Sequence, residues 1–132
     1  MTAKYKKASE LRTLTDLALR QMQSEMQELK ARETGLRENL AALTGEKSRQ
    51  AATLTGPDNA AFIAGADFRW QHWVDQRRAA VNAELAQVLA LTESCTQRMR
   101  LCFGRDQVAA ALIDVVMKDQ QIRRKRNTDY AS

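Results

Sequence analysis

The chain has 132 residues, of which 44% are hydrophobic, 28% are charged and only 5% are aromatic. With one Pro and five Gly it has too few turn residues for a β-sandwich or barrel, and it has no run of about 18 apolar residues that could form a transmembrane helix. Lys and Arg (21) outnumber Asp and Glu (16), giving a net charge of +5, and no apolar signal core is visible at the start. We therefore predict a single all-α domain over residues 1–132, located in the cytoplasm.

The first predicted helix covers about residues 3–52. Apolar residues recur there every seven positions, at Met22, Leu29, Leu36 and Leu43. Met26 and Leu40 occupy the second apolar position of the same heptad, while Glu33 and Lys47 are polar exceptions. Upstream, the steps from Leu11 through Leu14 and Ala18 to Met22 are 3, 4 and 4 residues, which predicts a stutter, an extra step that locally unwinds a left-handed supercoil.

A predicted turn of about residues 53–66 follows this helix. The sequence Thr55-Gly56-Pro57-Asp58-Asn59 favours a turn because Pro fixes φ and Gly tolerates positive φ. We expect Gly65 to end a short helical turn and Asp67 to cap the next helix.

The second predicted helix covers about residues 67–121 and contains the clearest pattern in the chain. One apolar series is Val81, Val88, Cys95, Cys102, Ala109 and Val116; the other is Leu85, Thr92, Met99 and Ile113, with Asp106 as an exception. Alternating steps of four and three residues are typical of a coiled-coil seam. Gly104 is expected to be a weak point of this helix, and residues 122–132 are expected to form a flexible basic tail.

Two long helices joined by a short turn predict a long antiparallel two-helix coiled-coil hairpin. Such a hairpin brings the two basic ends of the chain together. This basic set consists of Lys4, Lys6, Lys7, Arg12, Lys118, Arg123, Arg124, Lys125 and Arg126. It is either a solvated terminus, a docking surface for an acidic partner, or a contact for nucleic acid phosphates.

Large aromatic residues cluster on the turn side of the second helix. This cluster consists of Phe62, Phe68, Trp70 and Trp73. It either fills the end of the hairpin, where the two helices separate, or forms an exposed contact for another protein. Trp70 and Trp73 share a helix face with Val74 and Arg77.

The sequence offers little for catalysis or for a cofactor. His72 is the only histidine, and one histidine beside one carboxylate, Asp75, is too few ligands for a structural zinc site. Cys95 and Cys102 are seven residues apart on one helix, too far for a disulfide, and are predicted to be small apolar seam residues. We predict a non-enzymatic protein without metal or cofactor.

The chain resembles the FliJ/YscO family in three features. These are the early lysines with Tyr5, Leu11 and Leu14, the Gly-Pro turn, and a long second helix that starts with aromatic residues. These are stalk proteins of the flagellar and injectisome type III export ATPase. The resemblance covers about Lys4 to Arg126, and the interruption at Phe103-Gly104-Arg105 departs from a smooth stalk.

The resemblance implies that the basic set inserts into a hexameric export ATPase. It also implies that the turn end contacts the membrane export gate through Phe68, Trp70, Trp73, Val74 and Arg77, which we call the aromatic set. Family members are further implicated in handling export chaperones. The protein would then lie at the cytoplasmic face of the inner membrane through its partners.

Two other functions remain open at the level of sequence. A generic coiled-coil adaptor or export chaperone would use the same seam to pair with other helices, as a stable oligomer. A basic helical hairpin that binds nucleic acid would use the basic tail, with steeply salt-dependent affinity.

Overall fold

The computed structural model describes residues 2–53 and 60–131, and side chains at 2–50 and 64–131. In these ranges the protein consists of two long helices, α1 (Ala3–Thr53) and α2 (Ala60–Ala131), an arrangement consistent with a helical hairpin. Thr2 caps α1, because its hydroxyl oxygen accepts a hydrogen bond from the backbone amide of Tyr5 at 3.4 Å. The predicted turn residues Thr55–Asn59 lie outside the described residues.

The bounds of α1 confirm the sequence prediction, but those of α2 correct it at both ends. The second helix begins at Ala60 rather than Asp67, and it continues to Ala131 rather than fraying after Gln121. Gly65 does not end a helical turn, because one Gly costs about 1 kcal/mol relative to Ala and the surrounding alanines are strong helix formers. Beyond Gly104 the sequence has no Gly or Pro to stop the helix.

The chain forms two compact units, and each helix contributes to both. Unit 1 combines residues 1–26 with 94–132, and unit 2 comprises residues 27–93.

The positions of α2 that were predicted to be covered are buried or partly buried. The buried side chains include Val81, Leu85, Val88, Cys95, Asp106 and Ala109, each at the predicted position. Thr92, Met99, Cys102, Ile113 and Val116 are partly buried. The same alternation of four and three residues extends the covered positions upstream through Arg78, Val74 and Gln71 to Asp67, and downstream to Gln120.

The seam of α1 differs from the prediction in its first three turns. Leu11, Leu14 and Ala18 are exposed, so the predicted stutter is wrong. The covered positions are instead Tyr5, Ala8, Arg12, Thr15, Leu19, Met22 and Met26, which keep an unbroken heptad spacing. Downstream the covered positions continue as predicted through Leu29, Glu33, Leu36, Leu40, Leu43 and Lys47.

Contacts between the two helices within unit 1 follow a consistent order. The side chain of Gln120 donates a hydrogen bond to the Thr2 hydroxyl. Farther along α1, the Thr15 hydroxyl donates to Asp106, and Glu25 pairs with Arg98 at 3.7 Å. In these three contacts, higher-numbered residues of α1 pair with lower-numbered residues of α2.

Unit 2 has an apolar interior with a polar border. The buried side chains that α2 contributes to this unit include Val74, Val81, Leu85 and Val88. Lys47 extends from α1 to Asp75 of α2, with 3.1 Å between its ammonium nitrogen and the carboxylate oxygen. Both side chains are partly exposed, so this ion pair contributes at most about 1 kcal/mol to stability.

Candidate docking surfaces

The nine residues of the basic set all belong to unit 1. Eight of them are exposed, and only Arg12 is partly buried. Unit 1 contains 13 Lys and Arg residues against 7 Asp and Glu residues, a net charge of +6, whereas unit 2 contains 8 against 9, a net charge of −1. The excess positive charge of the protein is therefore confined to unit 1.

Arg12 has a structural partner that sequence reasoning did not identify. Its Nε lies 2.9 Å from Oδ1 of Asp106, and the Thr15 hydroxyl donates to the same oxygen at 2.9 Å. Asp106 is buried. Because these three residues occupy seam positions, the polar exception in the α2 heptad is compensated by two polar residues of α1. Part of the Arg12 side chain therefore lies in the interior of unit 1.

An open groove of about 570 Å³ runs beside this polar cluster in unit 1. Its lining comprises Leu11 and Thr15 from α1 and Leu101, Gly104, Val108 and Ala109 from α2. Arg100 and Arg105 complete it. A neighbouring groove of about 290 Å³ shares Leu11 and includes Lys4, Lys7 and Leu112. Apolar surface with basic neighbours therefore extends along one flank of the unit.

The aromatic set lies entirely in unit 2 and is divided by burial. Phe68, Trp73 and Arg77 are exposed, and Trp70 is partly buried. Val74 has no exposed surface, so it cannot contact a partner, and this member of the predicted set is corrected to a core residue. It is buried because it occupies the seam, seven residues before Val81. The side chain of Phe62 lies outside the described residues.

The residues considered for chemistry do not converge. His72 is exposed, and Asp75 pairs with Lys47 rather than with the imidazole. Among the described residues there is no group of three or more His, Cys, Asp or Glu side chains that could hold a metal ion. Within the same ranges, neither helix is apolar enough over a sufficient length to cross a bilayer.

Comparison with protein families, curated proteins and solved structures finds no match to this chain. The resemblance to the FliJ/YscO family consequently rests on the residues of the sequence alone.

The groove was missed by the sequence prediction, although a signal for it exists. Leu101, Val108 and Val115 are seven residues apart, and they directly precede the α2 heptad positions Cys102, Ala109 and Val116. A second apolar heptad beside the seam indicates a helix with two apolar faces, of which only one can lie against α1.

Proposed function

We propose that the protein is a non-enzymatic, antiparallel coiled-coil stalk of a flagellar or injectisome type III export apparatus. In this proposal the basic terminal segments enter a hexameric export ATPase, and the turn end contacts the export gate. The antiparallel hairpin is supported by the order of the contacts in unit 1, from Thr2 with Gln120 to Glu25 with Arg98.

The observation that carries the proposal is the unequal distribution of charge. A net charge of +6 on unit 1 against −1 on unit 2 gives the terminal segments a positive field that steers an acidic surface towards them. The run Arg123–Arg126 is exposed on a continuous helix, so its positions are ordered by α2 rather than scattered along a coil.

Charge reversal tests the docking to the ATPase. We expect a variant with Glu at positions 123–126 to lose stimulation of a hexameric export ATPase, because it replaces the exposed positive run by a negative one. The matched control reverses four exposed basic residues of unit 2, namely Lys30, Arg32, Arg49 and Arg69. Stimulation should survive in the control; an equal loss in both variants, or in neither, would contradict the proposed docking surface.

Substitutions in the exposed part of the aromatic set test the proposed contact with the export gate. Because Trp73 is largely exposed and Trp70 only partly buried, the double variant Trp70→Ala and Trp73→Ala should retain the helical fold. We expect it to lose binding to the gate by at least about tenfold, a loss of about 1.4 kcal/mol, since Trp side chains dominate many interfaces. ATPase stimulation should be unchanged; simultaneous loss of both functions would argue that the tryptophans only support folding.

A further inference from the structure

Unit 1 exposes a second apolar stripe beside its seam. We call it the outer stripe, and its members are Leu11, Leu14, Leu101, Val108, Leu112 and Val115, all of which are exposed. Val108 is 69% exposed and lines the 570 Å³ groove. Contiguous apolar surface with heptad spacing on a folded two-helix unit typically marks a site for a third helix.

The charge around the outer stripe selects the class of occupant. Arg100 and Arg105 line the groove itself, and Lys4 and Lys7 line its continuation around Leu11. The nearby carboxylate of Asp106 is buried, forms an ion pair with Arg12 and accepts a hydrogen bond from the Thr15 hydroxyl. The groove therefore presents cations without exposed anions in its lining, which favours an acidic partner.

A second copy of this chain fits the groove less well. It would place one unit of net charge +6 against another, and like charges across an interface cost binding free energy. An acidic helix of a different protein would instead neutralise part of that charge.

We propose that the outer stripe of unit 1 is a docking groove for one acidic amphipathic helix of a partner protein. Apolar side chains of that helix pack between Leu11, Leu101 and Val108, and its flanking carboxylates pair with Arg100 and Arg105. Gly104 lies in the groove, and a Cβ added there would meet no atom within 4 Å, so the space above it is open to a partner side chain. The inference does not depend on the stalk function.

The test uses the full chain and a fluorescent 21-residue peptide with Leu at the a and d heptad positions and Glu at most others. Fluorescence anisotropy should show saturable binding, and a second peptide with Lys in place of Glu should bind at least about tenfold more weakly. Val108→Glu should weaken binding of the acidic peptide by at least about tenfold. The control is Leu17→Glu, at a 58% exposed position of unit 1 that lines neither groove.

A second variant separates docking from folding. Gly104→Leu fills the groove while raising helix propensity, so it should reduce peptide affinity by at least about tenfold without lowering the midpoint of urea unfolding. Gly65→Leu gains the same propensity in α2 outside unit 1 and should leave binding unchanged.

Three results of the peptide-binding experiments would overturn the proposal. These are absence of saturable binding of the acidic peptide, equal weakening by Val108→Glu and Leu17→Glu, and equal affinity for the acidic and basic peptides. Sedimentation showing a dimer of the unmodified chain that Val108→Glu dissociates would assign the groove to a second copy and would also overturn it.

Discussion

Replacing Val88 with Asp is expected to unfold unit 2, lowering the free energy of unfolding by more than about 4 kcal/mol. Val88 has no exposed surface and occupies the centre of the seam between Leu85 and Thr92. The substitution removes about 1.5–3 kcal/mol of apolar burial. It also places a carboxylate where a valine side chain packs, and an unpaired buried charge costs further free energy.

Urea unfolding followed by circular dichroism at 222 nm measures this effect. The matched control is Leu89→Asp, since Leu89 directly follows Val88 on α2 but is exposed, and it should lose no more than about 1 kcal/mol. The Val88→Asp variant should begin unfolding without denaturant, because natural domains have only about 5–15 kcal/mol of stability. Equal stability of the two variants would show that the seam does not hold unit 2 together.

Replacing Asp106 with Ala is expected to lower the free energy of unfolding by about 2 kcal/mol. The change removes the acceptor of the hydrogen bond from the Thr15 hydroxyl at 2.9 Å and the ion-pair partner of Arg12, whose Nε lies 2.9 Å from the carboxylate. The loss is smaller than that for a fully buried ion pair, because the Arg12 side chain is 39% exposed and can turn towards water. Better helix propensity of Ala offsets a further part of the loss.

A double-mutant cycle with Arg12→Ala isolates the pair. We expect a coupling free energy of about 1 kcal/mol between Arg12 and Asp106, measured by urea unfolding of the four proteins. The cycle controls for the propensity gained by each Ala. Strictly additive losses would mean that the ion pair contributes nothing to stability.

The same cluster explains why a polar residue stands in an otherwise apolar seam. The double variant Arg12→Leu and Asp106→Leu should have a free energy of unfolding at least equal to that of the unmodified protein, because a packed apolar pair avoids the desolvation of two charges. The double variant should also form oligomers detectable by sedimentation, since a polar residue inside a seam restricts register and partner number. If the double variant were stable and strictly monomeric, the polar cluster would not be what restricts register and partner number.

The sequence alone determined the helical class and most of the seam. Two apolar series at heptad spacing in residues 81–116 predict which face of α2 is covered, and that face is the buried one. The basic set and the aromatic set were also recognisable from the sequence, as local clusters of residues. Burial of Val74 could also have been anticipated, because it continues the heptad of Val81.

The tertiary structure decided which stripe of α1 faces inward near its start. By hydrophobicity alone Leu11 and Leu14 are better seam residues than Arg12 and Thr15, yet the latter are covered. The reason lies on the other helix, because Asp106 is buried in the seam and requires polar partners opposite it. Arg12 supplies an opposite charge and Thr15 supplies a hydrogen-bond donor. Local spacing carries no information about that distant carboxylate. Only the packed unit shows that Leu11 and Leu14 are both exposed and that Leu11 lines a groove.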